Sequence, residues 1–522
     1  MSPISNYQTP GVYVVQSGTS LVDVSPSALN IAIVADQVTP GSTTDTFYNI
    51  PAISGINIGQ LSTPMVNTTN SSTSGGGTYA SYSGYTVTWY SGSTLINGVY
   101  GTNYTISTPN GGPFSYLSTS GTANGIGLPS GTVGITYGHN WGAFGTYQNY
   151  NALANTVGLP ISGTTISNPA VLAAQFAFQN GASSVSVIPV ARIATSGSGI
   201  ATTSDWNRAF ATTITGSDPT YLMNTVGVDV VVPLYGFVNT SGTNFGQIIP
   251  YANGTVASGL NSYLNAQAAN GNLQRAFVGV DGTFNQVTVS ALQALASGFG
   301  STRVSLVYPT VVNYNPGINV STGVLNNTFN IPGYYAAAAV AGTFVGQSSV
   351  ATPITNKVVN GFNAIPNQIS EIDAATNYLP YGITTIRQKR DGNFWILHGL
   401  TTNTTSWLTS EISINAIGDA LTKQIKNDLV NSQLIGGALT NVTSAAAIGV
   451  VQASLTAALA NGLIQGYQNL SLAVYPATPT TVNITFQYAP TYPINYIQTT
   501  LSLNTQTGTV ISQNTQSNLV TY

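Results

Sequence analysis

The sequence predicts an α/β and α+β multidomain protein: an α/β core with mixed sheets, an inserted all-β domain, and extended arms at both ends of the chain. Three observations predict it. From Trp141 onward, short Val- and Ile-rich runs alternate with helix-compatible segments, the pattern of strands joined by crossover helices. From about Gly41 to Asn140 the composition shifts to Gly, Ser, Thr and Tyr. The chain opens on a Pro-punctuated segment and closes on a polar one.

Residues 1–22 read as an arm, because Pro3 and Pro10 break helices and "GVYVVQSG" alternates as a short strand does. "ALNIAIVAD" (28–36) reads as a buried strand. Within 45–140, "GYTVTWYSG" and "GTVGITYG" are strand-like alternations bounded by turn residues, and "NTTNSSTSGGGT" reads as linker. A helix starts at Asn168-Pro169 and stops at Gly181, followed by the strand "SSVSVIPVAR". Further strands are "VGVDVVVPLYG", "RAFVGVDG" and "TRVSLVYPTV", with helical segments "ASGLNSYLNAQAANG" and "VSALQALASGFG" between them. "PGYYAAAAVAGTFVGQ" is a small-residue helix, and a hairpin turns at Arg390-Asp391-Gly392. Residues 406–432 read as one amphipathic helix with an apolar stripe at Leu408, Ile412, Ile414, Ile417, Leu421, Ile425 and Leu429. Asp419, Lys423, Lys426 and Asn427 lie off that stripe. A helix over 445–462 reads as buried, and two strands separated by a Pro-containing turn precede a polar tail.

At 522 residues the chain has room for about three or four domains. Only 4% of residues are charged, against about 25% in an average soluble protein. Disorder does not follow, because 29 Tyr and abundant Val and Ile supply core-forming side chains. A near-neutral, hydroxyl-rich surface offers little repulsion between copies, which favours an assembly subunit. The absence of Cys excludes thiol catalysis, disulfides and Cys-based zinc sites. The amino terminus lacks the basic and apolar regions of a signal peptide, and no uninterrupted apolar run has the length of a membrane span.

Motifs for chemistry are sparse. His139 and His398 are the two histidines, without a His-Glu-x-x-His metal pattern or a Gly-x-Ser-x-Gly elbow. His398 reads as a packed or hydrogen-bonded residue beside Trp395. "GIGLPSG" has Ser130 where a dinucleotide loop needs its third Gly. No cofactor or metal is expected. The basic cluster of Arg387, Lys389 and Arg390 is small and the net charge is -3, so nucleic acid is not an expected partner. That cluster reads either as a contact with a neighbour or as a solvated hairpin end. Lys423 and Lys426 read either as contacts or as helix pairs, since Asp419 and Lys423 are four apart.

The order of several stretches resembles the contractile tail sheath proteins of phages and related injection systems. These are the amino-terminal "TPGVYV", "FQNGASSVSVIPV", "IPGYYAAAAVAGTFV", "NYLPYGITTIRQKRDGNFWILHGLTT" and the closing "ITFQYAPTYPINYIQTTLSL". The likeness is strongest over 330–503, moderate over 142–330 and at the arm, and absent over 45–140. It departs from the family where Trp395-Ile396 replaces Trp-Gly and where surface charges are missing.

The resemblance implies a division into an amino-terminal arm (1–22), a core domain (23–44 and 141–330), an inserted β-rich outer domain (45–140), a conserved carboxyl domain (331–503) and a second arm (504–522). It implies arms that add strands to sheet edges of neighbouring subunits. The donors would lie at Gly11, Val12, Tyr13, Val14, Val15, Val510 and Ile511. The acceptors would lie at Ile484, Phe486, Tyr488, Tyr496, Ile497 and Leu501. Contact with the inner tube or a neighbour would fall to Arg387, Lys389, Arg390, Lys423 and Lys426. The implied partners are other copies of the chain in a helical homo-oligomer of hexameric rings, an inner tail tube protein, and baseplate and terminator proteins. No membrane insertion is implied, and the setting would be the tail of a virion assembled in the host cytoplasm. A lattice-forming or adhesive surface protein is the competing reading, since the Tyr-rich insert suits glycan binding. An α/β hydrolase is a third, without a catalytic constellation to support it.

Overall fold

The computed structural model describes residues 29–36, 41–52, 57–60, 70–73, 78–81, 86–91, 93–97, 104–107, 116–119, 128–139, 145–157, 159–162, 165–166, 168–190, 201–211, 227–316, 328–434, 440–474, 482–495, 502–503 and 510–511. A mixed sheet of nine strands forms the centre. In chain order its strands are β1 (Ile31–Ala35), β2 (Gly145–Tyr147), β3 (Val185–Pro189), β4 (Val230–Pro233), β5 (Arg275–Gly279), β6 (Val304–Tyr308), β7 (Val358–Val359), β8 (Ile383–Gln388) and β9 (Phe394–His398). Their order across the sheet is β2-β3-β1-β4-β5-β6-β8-β9-β7. The six strands from β3 to β8 run parallel, and β2, β9 and β7 attach antiparallel at the two sides.

The five parallel strands from β3 to β6 are apolar at most positions because helices cover both faces, whereas β8, next to the antiparallel β9, carries Thr384, Thr385, Arg387 and Gln388. Alternate residues feed two separate cores. Ile31, Ile33, Val185, Val187, Val230, Val232, Phe277 and Val307 point to one side. Ala32, Val34, Ile188, Val231, Ala276, Val278 and Leu306 point to the other. The first side is covered by α1 (Tyr150–Val157), α2 (Pro169–Gln179) and α6 (Gly333–Val345), together with the start of α7 (Ile412–Asn431). The second is covered by α3 (Thr203–Ala209), α4 (Val256–Ala269) and α5 (Val289–Phe299). Thr202, Thr255 and Thr288 cap α3, α4 and α5 by accepting a backbone N–H from the first turn. Small residues let α6 approach α2 closely: a Cβ on Gly342 would lie 2.4 Å from the Ala177 carbonyl oxygen.

The described residues of 41–139 contribute no strand to the central sheet. Gly41–Ile50, Gly131–His139, Thr86–Ser91 and Thr94–Asn97 form a four-stranded antiparallel sheet in that order. Asn57–Gln60, Tyr116–Thr119 and Tyr104–Ser107 form a three-stranded one. Val87, Trp89, Val133 and Ile135 of the first sheet share a core with Ile58, Tyr104 and Leu117 of the second.

At the carboxyl side, α7 continues into a separate cluster with α8 (Asn441–Ala460) and a hairpin of β10 (Ile464–Val474) and β11 (Val482–Pro490). Two sequence expectations are corrected here. Residues 406–432 are not one amphipathic helix. Glu411 is extended (φ −81°, ψ 123°) and separates a turn at Trp407–Ser410 from α7. Its side chain is drawn to His398 and its backbone bridges Leu400. The first ten residues of that stretch from Glu411 are then buried all round, polar Asn415 and Asp419 included. The helix α8, expected to be buried, packs with Val451, Leu455 and Ala458 and leaves most of its length at the surface. It is the one helix among the described residues long and apolar enough to cross a membrane. Its packed face is built into the cluster with α7 and the hairpin. The strand β10 was not foreseen.

Candidate assembly interface

The hairpin β10–β11 is a two-stranded sheet, and among the described residues neither outer edge has a partner strand. Two strands alone are marginal in water, so its stability comes from one face packing on helices. Ile484, Phe486 and Tyr488 alternate inward onto the α7–α8 cluster, while Asn483, Thr485 and Gln487 face outward. Burial pushes the Tyr488 hydroxyl far above its ordinary range, with the charge of Asp419 adding to it. Among the described residues, the hairpin is therefore a two-stranded ladder packed on the helices through one face. Ser502–Leu503 pairs antiparallel with Val510–Ile511 in a further small ladder. Gly11, Val12, Tyr13, Val14, Val15, Tyr496, Ile497 and Leu501, and the side chains of Val510 and Ile511, lie outside the described residues.

The five cationic candidates separate by their surroundings. Arg387 pairs with Glu371. The Lys389 ammonium lies 4.5 Å from the centre of the Trp395 ring, whose Nε1–H donates to Asp391 at 3.1 Å. Arg390 is exposed at the hairpin tip and has no ion-pair partner among the described residues. Lys426 points at the turn after α4, its Nζ 2.8 Å from where a Cβ on Gly271 would sit. Lys423 donates to Asp229 Oδ1 at 2.6 Å, with three quarters of its side chain covered.

Lys423 belongs to a charge network that sequence reading missed. Asp229, Arg275 and Arg303 stand at or just before the starts of β4, β5 and β6, at one edge of the sheet. Asp419 of α7 accepts from Arg275 at 2.9 Å and from Arg303 at 2.7 and 2.9 Å. Asp229 also accepts from the Asn30 N–H at 2.8 Å. Burial pushes the Asp229 carboxyl up to about 6, against the pull of the Asn30 N–H and Arg275. Burial, helped by Lys426, brings Lys423 down to about 8. For Arg275, burial lowers the pKa and Asp419 opposes it. A readable signal existed: in a chain this poor in charge, three consecutive strands each begin with one.

His398 is hydrogen-bonded: its Nε2 meets Glu411 Oε2 at 2.7 Å. The Asn495 amide donates to the same Glu411 oxygen at 3.1 Å, where the chain leaves the hairpin for its carboxyl end. Ser413 Oγ donates to the other Glu411 oxygen at 3.2 Å. The carboxylate thus sits between hydroxyl and imidazole, which reverses the serine–histidine contact a nucleophilic triad requires. No cluster of three or more metal-ligating side chains occurs among the described residues. Trp407 and Tyr492 pack at 5.2 Å nearby and are both exposed, as is Ile494.

No protein-family profile matches the sequence. A tail sheath protein of Mycobacterium phage Bxz1 is 29% identical over 251 residues, which is 48% of this chain and 42% of that protein. The match thus spans less than half the length of that relative. Among solved structures, the helical sheath of the anti-feeding prophage in its contracted state is 14% identical, with a TM-score of 0.50, over 95% of this chain and all of that one. A sheath tail protein from Listeria innocua is 11% identical, with a TM-score of 0.44, over 66% of this chain and 88% of that one. The resemblance carried by the sequence motifs is borne out: the relative in sequence is a phage tail sheath protein, and the mixed α/β fold is that of a sheath protein.

Proposed function

We propose that this chain is a structural subunit of a contractile tail sheath, which polymerises helically around an inner tube and contracts to drive that tube through a host envelope. The observation that carries this is the 29% identity to a phage tail sheath protein over 251 residues. The likeness in fold to a contracted helical sheath along nearly the whole chain supports it.

Association rests on strand addition. Residues 11–15 and 510–511 donate, and β11, followed by 496–501, accepts. The edges of the β10–β11 hairpin support this reading, because backbone hydrogen bonds give affinity without charge. The partners are other copies in hexameric rings, the tube, the baseplate and the terminator. The setting is the virion tail, assembled in the host cytoplasm. The role is mechanical and not enzymatic, a reading supported by the identity to a phage tail sheath protein. The division at 1–22, 23–44 with 141–330, 45–140, 331–503 and 504–522 is part of the same reading. Of the cationic candidates, Arg390 is the first choice for contact with tube or neighbour, since Arg387, Lys389 and Lys423 have partners within the chain. The test is high-speed sedimentation of the purified chain with and without tube protein. Pelleting of both in fixed proportion supports the proposal, and failure of the pair to co-sediment at any ratio opposes it.

A further inference from the structure

We propose that the outer face of the four-stranded sheet within 41–139 is a binding platform for a neutral glycan. The core face of this sheet is filled by Trp89, Val133 and Phe47, which the register places side by side. One residue further along, the row on the opposite face is Tyr48 with Asn49, then Thr132, then Tyr90, then Leu95. Tyr90 pairs directly with Leu95. Tyr48 and Asn49 together oppose Thr132, because the register slips between Gly131 and Val133.

This row carries three large side chains and is open to solvent. Tyr48 is 69% exposed, Tyr90 61% and Leu95 52%. Three large side chains at one level of one sheet face are more than scattered surface residues, and such a patch marks a binding site. The β-bulge has a further effect. Asn49 takes a left-handed conformation (φ 57°), and both Tyr48 and Asn49 are exposed. A bulge re-aims side chains in this way and is found beside functional sites.

The chemistry of the row selects the ligand. Tyr48 and Tyr90 stand on strands separated by one other, so they are roughly 9–10 Å apart. Thr132, small and exposed, lies between them. Two rigid aromatic faces at that separation offer stacking surfaces to sugar rings of an oligosaccharide, with their hydroxyls at the rim. The Asn49 amide and Thr132 hydroxyl add neutral hydrogen-bonding groups. From Gly41 to His139 the sequence has one charged residue, Asp45. An acidic polymer therefore finds no cation here, and a nucleic acid or polyuronate is disfavoured.

The test is binding of the labelled full chain to an array of neutral gluco-, manno- and galacto-oligosaccharides, with uronate oligomers alongside. The expected result is retention on at least one neutral class and on no uronate. Tyr48→Ala and Tyr90→Ala each weaken it about tenfold or more, and Tyr48→Phe and Tyr90→Phe retain it. Both side chains are exposed, and an unchanged near-ultraviolet circular dichroism spectrum verifies that the variants are folded. Absence of binding to every neutral class overturns the proposal, as does binding unchanged in the Ala variants. Loss of self-association in those variants also overturns it, and assigns the row to contact between copies.

Discussion

Arg303 clasps Asp419 through two parallel hydrogen bonds, Nη1 to Oδ2 at 2.9 Å and Nη2 to Oδ1 at 2.7 Å. Arg275 donates to the same carboxylate from the neighbouring strand. Through these contacts α7, which organises the carboxyl cluster, is fastened to the edge of the central sheet. Replacing Asp419 with Ala leaves two largely buried guanidinium groups facing one another. The expected cost is about 3–5 kcal/mol, read as a lower urea midpoint with an unchanged slope. A loss below about 1 kcal/mol contradicts the assignment.

The Asp229–Lys423 pair gives a pH dependence of unusual sign. The native carboxyl of Asp229 is raised to about 6 from 3.8, so the folded protein holds that proton more tightly than the unfolded chain. Its contribution is full below the unfolded value and is lost as pH rises through the folded one. Lys423 is lowered from 10.5 to about 8, so its contribution grows as pH rises across that interval. The melting temperature of the parent protein, relative to Asp229→Asn, is expected to rise on acidification from about pH 7 to about pH 4. A relative fall identifies Asp229 as an ordinary stabilised carboxylate.

Gly342→Ala tests how α6 meets α2. The new Cβ meets backbone on the other helix, 2.4 Å from the Ala177 oxygen and 2.8 Å from its Cα. Helix propensity favours the change by about 1 kcal/mol, but separating two packed helices costs about 1–3 kcal/mol. Melting is expected at lower temperature. A higher melting temperature indicates that the helices stand further apart.

The first and last strands of the insert lie side by side, with Gly41 paired to His139. Replacing 41–139 by a short Gly-Ser linker is therefore expected to leave the central sheet folded and assembly intact. Loss of assembly in a variant whose remainder is folded makes the insert part of the lattice.

Assembly through backbone edges in a chain with 4% charged residues leaves little for salt to screen. Assemblies are expected to persist between about 0.05 and about 0.5 M salt, by light scattering. Dissolution within that range points to ionic contacts.

The sheet and its covering helices were legible because burial on both faces leaves continuous apolar runs, as in Ile31–Ala35 and Val230–Pro233, and the helices between carry Thr caps or Gly stops. The break at Glu411 was not, since residues 406–432 keep helical spacing through it. Only the long-range pull of His398 and the Leu400 bridge reveals it. The strand β10 was missed because "LIQGYQNLSLAV" is interrupted by polar residues and by a bulge at Asn469, where φ is 58°. Among the candidate contacts, Lys423 and Arg387 were visible as charges, but their partners Asp229 and Glu371 lie 194 and 16 residues away.

The central claim is that this chain builds a sheath through its arms. Electron microscopy of the purified protein at increasing concentration, with and without residues 1–17, tests it most directly. Hollow helical tubes from the full chain, absent after truncation although the remainder is folded, are the expected result. Flat arrays from the full chain, or tubes that form equally well without the arm, contradict it.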